Sequence, residues 1–172
     1  MITNKRMVLR FRDLVTELGG TISEHRSILR SYGSVWWGWM MRQQELVPRD
    51  FFCSLKKSIT QHGSVDALLY DTGRNELLRC ELWGLAVAPQ GTRIGPPEPE
   101  KTPEYYNRGR YPAWFSFKSI EKAAFAQEQF YFDSFPTKAN YLPLLINTPV
   151  TSLEELRHQD VTLWVFRERS DS

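Results

Sequence analysis

Val65-Asp66-Ala67-Leu68-Leu69-Tyr70, then Asp71-Thr72-Gly73-Arg74-Asn75, then Glu76-Leu77-Leu78-Arg79-Cys80-Glu81-Leu82-Trp83-Gly84-Leu85-Ala86-Val87-Ala88, is the stretch that decides the fold. The first run is apolar and strand-like. The middle run is rich in turn formers: Asp and Asn side chains bond their own backbone, and Gly accepts positive φ. In the last run Leu78, Cys80, Leu82 and Gly84 alternate with Leu77, Arg79, Glu81 and Trp83, which is the period of a strand. Two strands joined by such a turn make an antiparallel hairpin.

The flanks extend this sheet. Upstream, Met7-Val8-Leu9-Arg10-Phe11 reads as a first strand. A helix follows from about Ser23 to Ser31, with Thr21 or Ser23 as its cap and Gly33 as its stop. Residues 34–41, Ser34-Val35-Trp36-Trp37-Gly38-Trp39-Met40-Met41, are apolar on both faces and belong deep in the fold. A helix begins near Pro48, places Phe51, Phe52, Leu55 and Ile59 on one stripe, and ends at Gly63. Downstream, residues 89–111 carry Pro96, Pro97, Pro99 and Pro103 and can be neither regular strand nor helix. A loop of that length in a compact domain is usually functional or disordered. Tyr105 and Tyr106, with Arg108 and Arg110, favour an ordered, functional one. Strands are expected at 113–120, 131–135 and 161–166, and a short helix at 152–156, where Ser152 and Glu155 have capping-box spacing. The tail from Arg167 is polar and reads as frayed. The sum is an α+β domain in which a curved antiparallel sheet closes into a small barrel, with two or three short helices.

The 172 residues suit one domain, 1–172. Aromatic residues reach 13%, and six are Trp, so large flat side chains fill a core or line a pocket. A net charge of +2 does not by itself announce a nucleic-acid binder, although a local patch can still be basic. Cys53 and Cys80 form no C-x-x-C pair, which fits a reduced, cytoplasmic setting. No apolar run approaches the roughly 18 residues that span a membrane.

Catalytic constellations are not evident. His25, His62 and His158 sit in unrelated segments and in no metal-binding motif. There is no G-x-S-x-G and no P-loop. Cys53, beside Phe51 and Phe52, reads as a buried inert thiol. The expectation is a binding module with no catalytic residue, metal or cofactor. Were there chemistry, Asp71, Glu104 and His25 would be its first suspects.

The aromatic residues carry the stronger signal. Trp36, Trp37 and Trp39 form one cluster; Tyr105, Tyr106, Tyr111, Trp114 and Phe115 form another. In an extended chain Trp36 and Trp37 point to opposite faces, which leaves a ring able to line a cavity. A flat ring is a platform for a nucleobase, worth roughly 1–3 kcal/mol per stacked base. Ser34, Asp71 and Asn107 could meet a base edge, with Trp36, Trp37, Tyr105, Tyr106 and Trp114 as walls. Arg74, Arg108, Arg110 and Lys118 could meet phosphates.

The hairpin ending its first strand in Tyr70, the returning Leu82-Trp83-Gly84-Leu85-Ala86-Val87, the Pro-rich loop and Tyr111-Pro112-Ala113-Trp114-Phe115-Ser116-Phe117 together resemble the PUA-like superfamily, nearest its EVE branch. The resemblance covers about 35–156. It implies a pseudo-barrel whose pocket, with Tyr70 among its residues, takes a flipped or modified base from DNA or RNA, or a free nucleotide. It also implies a sensor in a prokaryotic defence or regulatory protein, served by a fused or associated effector domain and forming the N-terminal module of a longer chain. The alternative is a protein-interaction or regulatory domain without nucleic-acid binding, suggested by the near-neutral charge and the prolines at 95–103.

Overall fold

The computed structural model describes residues 5–13, 19–124, 130–134, 147–158 and 161–168. In chain order the elements are β1 (Lys5–Phe11), α1 (Gly20–Tyr32), β2 (Val35–Gly38), α2 (Arg49–His62), β3 (Val65–Asp71), β4 (Glu76–Val87), β5 (Ala113–Lys122), β6 (Phe130–Ser134), α3 (Glu154–Arg157) and β7 (Leu163–Glu168). A single 3-10 turn at Pro99–Lys101 interrupts the long loop before β5. The strands form one sheet in the order β2-β5-β4-β3-β1-β7-β6.

The hairpin is the centre of that sheet. β3 and β4 pair from Val65↔Leu82 to Asp71↔Glu76. The turn is held by Asp71, whose carboxylate accepts from the Gly73 and Arg74 amides and from Arg74 Nε at 3.0, 3.3 and 3.1 Å. β5 then pairs antiparallel with β4, with register shifts at Glu81/Leu82 and Leu82/Gly84. Such irregularities bend a sheet and sharpen its twist. β1 lies parallel to β3, because the chain between them crosses over through α1, β2 and α2. Every other pairing is antiparallel.

The sheet is curved around its main core. That core takes Met7, Leu9 and Phe11 from β1, Trp37 from β2, Leu69 from β3, Leu78 and Leu82 from β4, Phe115 and Phe117 from β5, and Leu163 from β7. Ile22 of α1 and Phe52 and Leu55 of α2 plug it. A second cluster, including Tyr70, Phe132, Leu156 and Trp164, lies on the other side of the strands. Among the described residues β2 and β6 are the ends of the hydrogen-bonded ladder, and no ladder joins them. The chain beyond β2 instead reaches β7 by side chains. Trp39 Nε1 donates to Thr162 Oγ1 at 2.9 Å, and the buried Glu45 carboxylate accepts from the Thr162 and Leu163 amides at 3.0 and 3.2 Å. It also accepts from the Thr162 hydroxyl and the Arg42 amide. A buried carboxylate is tolerable only when so many donors surround it.

Three local expectations change. α1 begins at Gly20, so Thr21 and Ser23 lie inside it; its first amides are met from outside, with Asp13 accepting from Gly19 and Thr21 at 2.8 and 3.1 Å. Cys53 is exposed, because the buried stripe of α2 runs through Phe52 and Leu55, and a residue one place from Phe52 turns away. In α3 the Glu155 carboxylate does reach back, to the Thr151 and Ser152 amides, while the N-cap residue is Leu153. The expected strand at 131–135 is β6, with residue 135 outside the described residues, as are residues 169–172 of the tail. Among the described residues no helix is long and apolar enough to cross a membrane.

Candidate functional site

β2 splits the aromatic residues between two sides. Trp36 packs with Trp114 and with Tyr106 of the 89–111 loop, whereas Trp37 belongs to the main core and Tyr106 touches both sides. On the Trp36 side both indole nitrogens have acceptors: Trp36 Nε1 donates to Glu98 Oε1 at 3.0 Å and Trp114 Nε1 to the Ile94 carbonyl at 2.8 Å. The Tyr111 ring lies between Gly38 and Gly109; a Cβ at either glycine would come within 2.5 Å of it. The loop is therefore a strap laid tightly on the sheet.

The Trp37 side is built differently. His25 of α1 stacks on Trp37 with ring centroids 3.9 Å apart, and Tyr106 meets the His25 ring edge-on at 5.8 Å. His25 Nδ1 lies 2.8 Å from the Thr21 carbonyl; a carbonyl only accepts, so Nδ1 carries the hydrogen. Nε2 is then a lone-pair acceptor, buried without a hydrogen-bond partner among the described residues. Complete burial pulls the imidazole down from its ordinary 6.5 to about 3, so it stays neutral. Burial likewise raises the Tyr106 and Tyr105 phenols above their usual range.

Next to this nest is a cleft of about 180 Å³. Leu9, Phe11, Trp37, Gly38, Trp39 and Tyr106 contribute its apolar side; Arg10, Arg12, Arg42, Thr72, Thr162 and Met40 complete it. Trp37 is only 1% exposed, so it borders the cleft without offering an open face, whereas Met40 is 42% exposed at the mouth. The three arginines arrive from two places: Arg10 and Arg12 from the end of β1, Arg42 from the segment after β2. Thr162 brings them together. Its carbonyl accepts from the Arg10 amide at 2.8 Å, and its hydroxyl and amide anchor Trp39 and Glu45. The Arg10 guanidinium sits below its ordinary range, first because it is half-buried and then because Arg42 and Arg12 place like charge beside it. Among the described residues no acidic side chain lines the cleft.

Of the residues expected to bind a ligand, the cleft unites Trp37 and Tyr106, and it includes Gly38. The others are elsewhere. Ser34 is buried at the start of β2. Trp36 and Trp114 are under the strap. Tyr70 is in the second core, its hydroxyl donating to Asn75 Oδ1 at 2.6 Å. Asp71 is buried and occupied by its turn. Tyr105 and Asn107 border a shallow hollow with Glu104 and Arg108 on the strap. Arg74 is paired with Asp71 and Glu76, Arg110 donates to the Arg93 carbonyl, and Lys118 lies 5.3 Å over the exposed Trp83 ring. Arg10, Arg12 and Arg42 were not singled out from the sequence. The signal present was the pair Arg10 and Arg12, two places apart at the end of an apolar strand, where period 2 puts both on one side.

A model of the Pua-like family matches residues 7–172. The chain belongs to the Pua-like family. Comparison with curated proteins and with solved structures gives no match. A Pua-like domain accounts for the mixed α+β architecture and its curved sheet, and the buried aromatic cluster lies within the matched span.

Proposed function

We propose that this Pua-like domain binds nucleic acid through a single unstacked nucleobase seated in the cleft beside Trp37 and Tyr106. The observation that carries the reading is that cleft: a small space with an aromatic side, rimmed by three arginines and lined by no acid among the described residues. About 180 Å³ is below the usual range for a drug-sized ligand and suits one base or a fragment of similar size. A base can enter only after leaving its stack, and a ready-made apolar wall offsets part of that cost. Thr72, Thr162 and the backbone at Gly38 supply polar groups for a base edge. On this reading the base is a modified or flipped one, and the domain is a cytoplasmic sensor for a fused or associated effector of a prokaryotic defence or regulatory protein. It performs recognition, not chemistry.

The test is equilibrium titration of the whole chain with short single- and double-stranded DNA and RNA, with and without modified bases, at about 50 and 200 mM salt. Saturable binding that weakens with salt and is lost in Tyr106→Ala supports the reading. Binding that is indifferent to salt and to Tyr106 contradicts it.

A second reading has an observation of its own. A wide groove of about 1,090 Å³ runs along Met41, Leu46, Val47, Pro48 and Phe51, with Leu46 45% exposed. Such a surface favours a protein-interaction domain that binds no nucleic acid. In that case the titration gives no response to any oligonucleotide.

A further inference from the structure

The cleft combines two surfaces of different chemistry, and only the aromatic one is explained by a base. Arg10, Arg12 and Arg42 converge on the same cleft although about 30 positions separate them in the chain. The fold spends a specific device on this convergence, since Thr162 ties down both the end of β1 and the segment that carries Arg42. Glu45, whose charge also reaches Arg10, is one carboxylate against three guanidinium groups. Its oxygens accept from the Thr162 and Leu163 amides, the Thr162 hydroxyl and the Arg42 amide. Among the described residues that line the cleft the balance is therefore cationic, in a molecule whose overall charge is only +2. Like charges gathered at a partly enclosed surface repel, and an arriving anion relieves that repulsion.

We propose that Arg10, Arg12 and Arg42 form a phosphate subsite, so that the cleft takes a nucleotide with its phosphate and not a neutral base or nucleoside. This rests on the base-binding reading of the same cleft. A guanidinium presents paired N–H donors that match a phosphate's oxygens, and two or more can share one phosphate. Arg12 and Arg42 are exposed, while Arg10, half-buried, marks the inner end of the subsite. The base then lies toward Trp37 and Tyr106, and the phosphate fixes which way it enters.

The experiment titrates the full chain with nucleoside 5′-monophosphates, with the matching nucleosides and with inorganic phosphate alone. It is repeated on Arg12→Gln, on Arg42→Gln and on their double variant. Both residues are on the surface, so the fold should tolerate these changes, and thermal unfolding checks that it does. Arg30→Gln, on an exposed turn of α1 away from the cleft, is the control. The expected result is that a monophosphate binds about 10-fold or more tighter than its nucleoside. Inorganic phosphate should compete with it, and the double variant should erase the difference while Arg30→Gln keeps it. Equal affinity for nucleotide and nucleoside overturns the subsite and leaves the base-binding reading standing. Binding of inorganic phosphate that depends on Arg12 and Arg42, with no gain from any base, keeps the subsite and overturns the base-binding reading. No binding of phosphate or of any monophosphate overturns the subsite.

Discussion

Trp36 and Trp37 are neighbours in one short strand, and the two sides they face are finished differently. Trp36 faces a strap that closes over it, and both Trp36 and Trp114 there have hydrogen-bond acceptors for their indole nitrogens. Trp37 faces His25, whose Nε2 has no hydrogen-bond partner among the described residues, and beside it the molecule keeps a cleft with three arginines. The same residue type thus closes a surface on one side and borders an open cleft on the other. Burial alone does not separate the two, since Trp36 is 9% and Trp37 1% exposed. What separates them is what each ring meets: a strap carboxylate for Trp36, the His25 ring and the cleft for Trp37.

The largest effect should come from removing the ring that supports the cleft. Trp37→Ala deletes a fully packed side chain touching His25, Phe11 and Phe117, and should cost about 3–5 kcal/mol in chemical denaturation. A loss below about 1 kcal/mol would mean that this side is not core. Glu45→Ala should come next, at about 2–4 kcal/mol, because it leaves the Leu163 and Thr162 amides without their acceptor. Hydrogen exchange at those two amides should accelerate. If it does not, the link from the post-β2 segment to β7 does not depend on this carboxylate.

The buried histidine, with one ring nitrogen bonded and the other not, gives the two sides different pH behaviour. His25 is depressed from 6.5 to about 3 in the fold, so the unfolded chain takes up its proton first as pH falls. The stability it contributes is complete above pH 6.5 and declines toward pH 3, by up to about 1.4 kcal/mol per pH unit. Between pH 6.5 and 4.5, above the ordinary carboxylate range, this slope should vanish in His25→Asn, which can still donate to the Thr21 carbonyl. An unchanged slope would place the acid sensitivity elsewhere. The smallest effect belongs to the closed side. Glu98→Gln weakens one bond to Trp36 at a partly exposed position and should cost less than about 1 kcal/mol. A larger cost would make the strap a principal support and not a cover.

The sheet was legible in the sequence where its signals are local. The β3–β4 hairpin announces itself by period 2 and by the Asp71 to Asn75 turn, and β2's two-sided apolarity foretells rings on both faces. β1's parallel pairing with β3 is not local. It depends on a crossover through two helices, which no alternation within Lys5–Phe11 encodes. The lining of the cleft was legible by half for the same reason. Trp37 and Tyr106 stand out as aromatic residues in the right segments. Arg10, Arg12 and Arg42 meet where Thr162, far along the chain, bonds to both of their segments. Asp71 and Arg74 illustrate the reverse case: polar residues near aromatic strands that suggest a ligand, yet bond to each other within a turn.

The most direct test follows the indole N–H signals of the six tryptophans by NMR, together with backbone amides, while a short single-stranded oligonucleotide is added. The indoles report on both sides of β2 at once. If the cleft is the binding site, the Trp37 and Trp39 indoles and the Arg12, Gly38 and Thr162 amides move together and saturate, while Trp36 and Trp114 stay in place. Shifts confined to Trp36, Trp83 or the groove around Leu46, with the cleft signals unmoved, would contradict it.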